Sequence, residues 1–567
     1  MKLDQLSPDR VALRPPETVM RLARMGSFHQ SRLSFMRVLL RRLKSEKWRF
    51  ERRAFEIDAR GVGHAVYTMH GPVRSYSLVA FAHDLPPEQR SDRVIATAWD
   101  ATFTLFDGLP SDADIDRLAR NVPLQEAGRV TSTELTVSRA NRSVRLFDHV
   151  LDCLSRGEQP DPAQVDAVGY LMRTTAVYGS GKLGAADRES ICDRPEFAAP
   201  FQAEMLTVFL IRGFVLDLVE HLAQNRGGSR AVPVDPALRR RFGIGNSTGL
   251  GMAPFLLNHP ILLNNWIAAR ETALARVRAL PVIAPGDAEA FRTMLRRGRR
   301  NIDEWHSEHP IQCGKIAELK TDLDRLDAHV ESGALVGALP WDRLYRWAET
   351  ALSLEGQELL VALMMEPYGA LVDDLPMRMS ADETAGFRIE GGMTVARLRE
   401  ILEHDYAWAL GIDWGRPEAQ ARAWYVSAEK LEPRLGERHL EPVAAYEQPL
   451  APGRDAALLF EALKGEDADT RVADLLLRLP EHRHILRRVQ IAARHPYAEI
   501  RDNTVGADVL PIDLLRAKLS FFGACHFDPR SDRWVRINMF RNAPFPHELA
   551  EIEFAGWTYP DLPEVPS

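Results

Sequence analysis

Two segments of this 567-residue chain carry residue types that could hold a small anion. The first, RTTAVYGSGKLGAADR at residues 173–188, follows a helix-like run and sets Gly179, Gly181 and Gly184 around one lysine, Lys182. Glycines there permit positive φ and expose backbone amides, and Lys182 supplies a point charge. The second, FGIGNSTGLGMAPF at residues 242–255, places four glycines around Asn246, Ser247 and Thr248 ahead of an apolar run. Read as a turn at a helix N-terminus, it offers an amide and two hydroxyls to a carboxylate or phosphate oxygen, with the helix dipole adding a favourable field. If both loops border one pocket, Gly181, Lys182, Asn246, Ser247 and Thr248 bind the ligand. Arg173 adds a two-point grip on a carboxylate. Tyr178, Lys182 and His526 are the expected catalytic groups, with Tyr178 or His526 moving a proton.

Neither segment is a nucleotide fingerprint. A Walker loop needs a glycine five places before its Gly-Lys pair and a Ser or Thr after it, where this chain has Ala176 and Leu183. A dinucleotide motif needs a third glycine where Thr248 stands. The competing reading is that both clusters are helix caps and tight turns.

Further along, HPYAEIRDN at residues 495–503 offers Arg501 and Asn503 to position a polar substrate, joined by Lys518 if it projects into the same cavity. Cys525 and His526 are adjacent, so on an extended chain their side chains point opposite ways and do not form a simple thiol–imidazole couple. His306 and His309, like His482 and His484, lack the HExxH pattern, so no metal site is expected. No motif names a cofactor.

Composition narrows the class. Hydrophobic residues make up 45% and charged residues 27%, the balance of a folded soluble protein. A net charge of -7 gives no global field for nucleic acid, so none is expected as partner. Arg37 to Arg53 is locally basic and reads as a solvated helix face. Four cysteines without CxxC spacing, and an N-terminus lacking an apolar core, point to the cytoplasm. The most lipid-like stretch, residues 205–223, contains Arg212, Asp217 and Glu220. A charge at the centre of a spanning helix costs about 2.5–3.5 kcal/mol, so this stretch is a buried helix and no membrane is expected. Arg212 within it must find a partner or face a cavity.

The elements that must position these groups are of two kinds. Apolar residues at three- and four-residue steps from Leu22 predict an N-terminal helix. Short β-branched and aromatic runs between Trp48 and Phe106 predict an antiparallel meander of about four strands. After Gly108 the helical period dominates. Helices are expected near 111–120, 139–156, 162–176, 198–225, 260–280, 287–300, 314–331, 341–365, 455–463, 467–478, 480–494 and 511–522. A short strand and a Gly-Gly turn precede a helix capped by Thr394, and RWVRINMF reads as a half-exposed strand.

The expected fold is therefore α+β and predominantly α-helical. It has an N-terminal helix and antiparallel β-meander, a large helical body and a small mixed C-terminal region. The divisions are 1–110, 111–285, 286–375 and 376–567. The expected function is a cytoplasmic enzyme, homo-oligomeric and most simply a homodimer, acting as lyase, isomerase or hydrolase on a small anionic metabolite. The alternatives are a non-catalytic helical interaction or regulatory protein, and a flavin- or metal-dependent oxidoreductase.

Overall fold

The structure, a computed structural model, describes residues 11–90, 98–124, 131–174, 191, 193–249, 259–303, 305, 310–379, 387–416, 426–427, 430–431, 452–501, 516–524, 526–528 and 534–550. It is α+β and rich in helix, as expected. The meander is present as β1 (Arg49–Ile57), β2 (Gly63–His70), β3 (Ser75–Ala82) and β4 (Ala101–Asp107). The sheet continues through β5 (Glu134–Arg142), β6 (Tyr170–Thr174) and β7 (Gly243–Gly249). A small hairpin, β8 (Val426–Ser427) and β9 (Lys430–Leu431), stands apart from it. Two late strands, β10 (His526–Asp528) and β11 (Trp534–Met539), then return to the main sheet. Its nine strands run in the order β1-β2-β3-β4-β5-β6-β7-β11-β10, antiparallel except where β6 meets β7 in parallel.

The helices, in chain order, begin with α1 (Phe35–Ser45), α2 (Asp112–Asn121), α3 (Phe147–Arg156), α4 (Pro162–Val168), α5 (Gln202–Gly227) and α6 (Pro236–Arg241). The helical body follows as α7 (Pro260–Arg278), α8 (Pro285–Asp303), α9 (Pro310–His329), α10 (Pro340–Ala351) and α11 (Leu354–Met364). Last come α12 (Val395–Asp405), α13 (Pro452–Leu463), α14 (Val472–Arg478) and α15 (Arg483–Arg494), which share their own apolar core around Leu398, Tyr406, Leu459 and Leu486.

Alternation along the strands gives the sheet two apolar faces. Val66, Val79, Phe81 and Phe106 meet Leu118 and Val122 at α2, whose start is fixed by a reciprocal cap between Ser111 and Asp114. On the other face Tyr67 and Phe103 pack edge-on against Phe214 of α5, and the Tyr67 hydroxyl donates to Asp217 at 2.8 Å. α5 is buried all round over its first five turns. Among the described residues no helix is long and apolar enough to cross a membrane.

Several expected boundaries move. The helix expected over 139–156 begins only at Phe147, because residues 134–142 pair with β4 and β6 on both sides as β5. The one expected over 162–176 stops at Val168, since Gly169 at φ 72 ends α4 and the chain enters β6. The stretch 341–365 is two helices, with the Ser353 hydroxyl capping the second through the Gly356 N–H. No strand forms at 387–390, although the Thr394 cap is present. The segment 242–252, read as a glycine turn at a helix N-terminus, is instead strand β7 over Gly243–Gly249, because β6 and β11 supply partners on both edges.

Arg212, in the middle of α5, is 1% exposed. Its guanidinium donates to the carbonyls of Phe242 (2.7 Å), Ala543 (2.7 Å), Pro544 (3.2 Å) and Arg240 (3.3 Å), and lies 3.8 Å over the Phe545 ring. Removing the cation strands buried carbonyls, each at a cost of about 1–3 kcal/mol. Arg212→Met is therefore expected to lower stability by at least about 3 kcal/mol. Urea unfolding followed by circular dichroism measures this, and an unchanged midpoint would contradict it.

Candidate functional site

The parallel pair organises the first candidate region. Parallel strands cannot be joined by a hairpin, so the connection from β6 to β7 runs out and back through α5 and α6. Arg173 pairs with Gly245, and the chain leaves both strands in the same direction. In the parallel register Ser247 and Thr248 lie beyond the position opposite Thr174, the last described residue of β6, and on their far side they pair with Arg536 and Val535. Asn246, fully buried, ties the two strands together: its Nδ2 donates to the Thr174 carbonyl at 2.8 Å. Its Oδ1 has no hydrogen-bond partner among the described residues.

Gly245 is a close-approach position. A Cβ there would fall 2.6 Å from Cγ of Arg173 and 2.6 Å from the ring of Tyr170, so glycine is what lets these two side chains lie against β7. Arg173 is itself buried. The register continues across the sheet, with Asn141 opposite Arg173, Asn538 opposite Gly245 and His526 opposite Asn538. Three strand spacings of about 4.8 Å separate the backbones of Arg173 and His526, roughly 14 Å in all.

The structure thus brings Arg173, Asn246, Ser247, Thr248 and His526 into one part of the sheet at the level of the backbone. Tyr178, Gly181, Lys182 and Asn503 lie outside the described residues. Arg501 sits elsewhere: its Nη1 pairs with Glu17 at 2.8 Å and its backbone N–H donates to the Met20 carbonyl. The basic run is only partly a solvated face. Arg37 turns inward to Glu366, and Arg41 pairs with Asp373.

A second region centres on Lys518, in the C-terminal part of the chain. Lys518 opens a π-type turn, Lys518–Phe522, that ends in left-handed Gly523. The lysine is 1% exposed, and burial brings its amine down from 10.5 to about 7. Its Nζ lies 5.1 Å from the Phe522 ring. Phe522 belongs to an aromatic cluster with Phe35, Phe201 and Trp266, and Trp266 also touches Phe521 at 4.1 Å between centroids. Four buried polar atoms around this cluster have no hydrogen-bond partner among the described residues: Gln30 Oε1, Ser34 Oγ, Gln202 Oε1 and Trp266 Nε1. The signal in the sequence is scarcity, because only nine of the 72 Lys and Arg residues are lysine.

Against family models, curated proteins and solved structures, the chain gives no match. Among the described residues no group of three His, Cys, Asp or Glu side chains could hold a metal ion.

The buried amine has a thermodynamic signature. The folded-state pKa of Lys518 is depressed, so between about 7 and 10.5 the unfolded chain binds a proton that the folded chain does not. Stability contributed by this group therefore rises with pH through that window. Relative to Lys518→Met, the native protein should gain roughly 1.4 kcal/mol per pH unit there. Paired denaturant titrations at pH 7 and pH 9 check it, and parallel pH dependences would contradict it.

Proposed function

We propose that the protein is an enzyme acting on a small carboxylated or phosphorylated metabolite held outside the carboxyl ends of β6 and β7. One observation carries this reading: the parallel pairing of two strands in an otherwise antiparallel sheet, the first followed in sequence by a glycine-rich segment and the second itself made of one. Parallel neighbours send their following segments off the same end of the sheet, the end at which ligands collect in open α/β sheets. The first glycine segment follows Thr174 in the sequence, and the last residues of β7, Ser247 to Gly249, lie toward that same end.

In this reading Lys182 supplies the charge, Ser247 and Thr248 the directional hydrogen bonds, and Asn246 fixes the edge from which the first segment departs. Arg173 stands beside that edge. Tyr178 is the nearer proton-transfer group in sequence. His526 is reached only by a ligand spanning about three strands. Proton transfer on a substrate gripped by its charge suits a lyase, isomerase or hydrolase step. A symmetric dimer in the cytoplasm is the expected working form.

Native mass spectrometry of freshly purified protein is expected to reveal a retained anion. Titration of that anion into Lys182→Ala and Thr248→Val should show binding weakened by about 1.5–3 kcal/mol in each, with thermal unfolding unchanged. Wild-type affinity in both variants would remove the site. Sedimentation velocity should also find a species of twice 63.8 kDa, and a purely monomeric protein would remove the dimer.

A further inference from the structure

α8 and α9 lie side by side and run in opposite directions. Lys320 Nζ meets Asp303 Oδ1 at 3.4 Å near the turn between them, and further along Arg299 of α8 pairs with Asp324 and, at 3.5 Å, with Asp327 of α9. Between the two helices is a cavity of about 470 Å³ that opens to solvent. It is lined by Leu295, Arg296, Arg299 and Arg300 of α8 and by Leu323 and Asp327 of α9, and none of the six belongs to the sheet. The volume falls within the range of small-ligand sites, roughly 300–1,000 Å³.

The lining has an apolar part and a cationic part. Leu295 and Leu323 are buried and give the cavity an apolar wall. Three arginines against one aspartate make up the rest, in a chain whose net charge is -7. Arg299 is held on the α9 side by Asp324 and Asp327, so the one acid of the lining already faces a cation. Arg296 is placed differently. Its two contacts, Glu289 Oε1 at 2.9 Å and Thr293 Oγ1 at 3.0 Å, both fall on Nη2, and among the described residues its Nε and Nη1 donate to nothing. Arg296 and Glu289 are both half-exposed, and an ion pair in water contributes little. A ligand carboxylate in the cavity can therefore take donors that Glu289 leaves unused, or replace Glu289 at small cost.

We propose that the cavity between α8 and α9 binds a small amphipathic monocarboxylate, such as a medium-chain fatty acid, with its charge on Arg296 and its apolar body against Leu295 and Leu323. Arg300 stands one helical turn from Arg296 on the same face and lines the same cavity, which puts a second guanidinium beside the carboxylate. Charge-assisted hydrogen bonds from arginine hold the anionic end, and removal of the chain from water against the two leucines holds the other. Asp327 sets the limit on charge: a dicarboxylate or polyphosphate would bring a second negative group toward it, whereas a single carboxylate at Arg296 does not. The inference is independent of the anion site at β6 and β7, whose failure would leave it standing.

Isothermal titration of the full-length protein with octanoate tests it. Octanol and octylamine probe the charge, and acetate probes the apolar body. Octanoate is expected to saturate one site per chain and to bind at least about tenfold more tightly than any of the other three. Arg296→Gln should weaken octanoate at least about tenfold, whereas Arg297→Gln, an equal loss of charge at a position outside the lining, should leave it unchanged. Glu289→Gln removes the competing carboxylate and should tighten octanoate several-fold, a gain that a loss of folding cannot mimic. Absence of saturable octanoate binding would overturn the proposal, as would octanol or octylamine binding as tightly. So would an affinity that Arg296→Gln leaves unchanged or that Glu289→Gln fails to raise.

Discussion

The Arg212 guanidinium fixes the geometry on which the sheet's second half depends. Four backbone carbonyls from two distant segments converge on it, Arg240 and Phe242 from the approach to β7 and Ala543 and Pro544 from the exit of β11. A charge buried in α5 without such partners would cost several kcal/mol, so α5 can lie against the sheet only when both segments are in place. The condition also runs the other way. Residues 240–242 and 543–544 carry carbonyls that need a donor, and Arg212 supplies more donors than any neutral side chain. The parallel β6–β7 pair, which requires a long crossover, is held at its return point by this contact.

A second set of buried charges attaches the N-terminal residues to the helical body. Arg14 donates to both Glu271 of α7 and Glu358 of α11, and Arg24 also reaches Glu358. Arg37 and His29 converge on Glu366, and Arg516 and Lys315 on Glu355. Burial alone would raise these carboxyls; instead Arg37 and His29 hold Glu366 well below the usual carboxylate range, and Arg516 with Lys315 lowers Glu355. Buried ion pairs of this kind add little net stability over apolar packing, but removing one partner is expensive. They fix which segments dock where, and they explain why the basic run from Arg37 is drawn partly inward.

The β1–β4 meander and most of the helices could be read in the sequence because their periodicities are local: alternation in SYSLVAFA, three- and four-residue steps in α8 and α15. The misread strands lack that signal. ELTVSRANR mixes β-branched and polar residues and YLMRT is only five long, so it is pairing on both edges that makes them β5 and β6. β7 is the extreme case, with Gly243, Gly245 and Gly249 in a strand of seven residues. Glycine is a poor strand former, and only partners already in place can hold such a segment extended. The site residues divide the same way. Arg173, Asn246 and His526 were identifiable by type, yet the row that Arg173 and His526 share, one residue from Asn246, depends on a pairing between residues 173, 245 and 538 that no local pattern encodes.

The first glycines of the second cluster are set by what lies against β7. A Cβ on Gly243 would meet the Met539 carbonyl oxygen at 2.6 Å, and one on Gly245 would meet Arg173 and Tyr170. Both glycines are explained by backbone and side chains lying close to β7, so no bound anion is needed to account for them. Those contacts concern the first half of the cluster; Ser247 and Thr248 lie beyond the position opposite Thr174, the last described residue of β6. Packing thus accounts for the first half of the segment, and the ligand contacts proposed above belong to its second half, toward the end of the sheet at which β6 reaches Thr174.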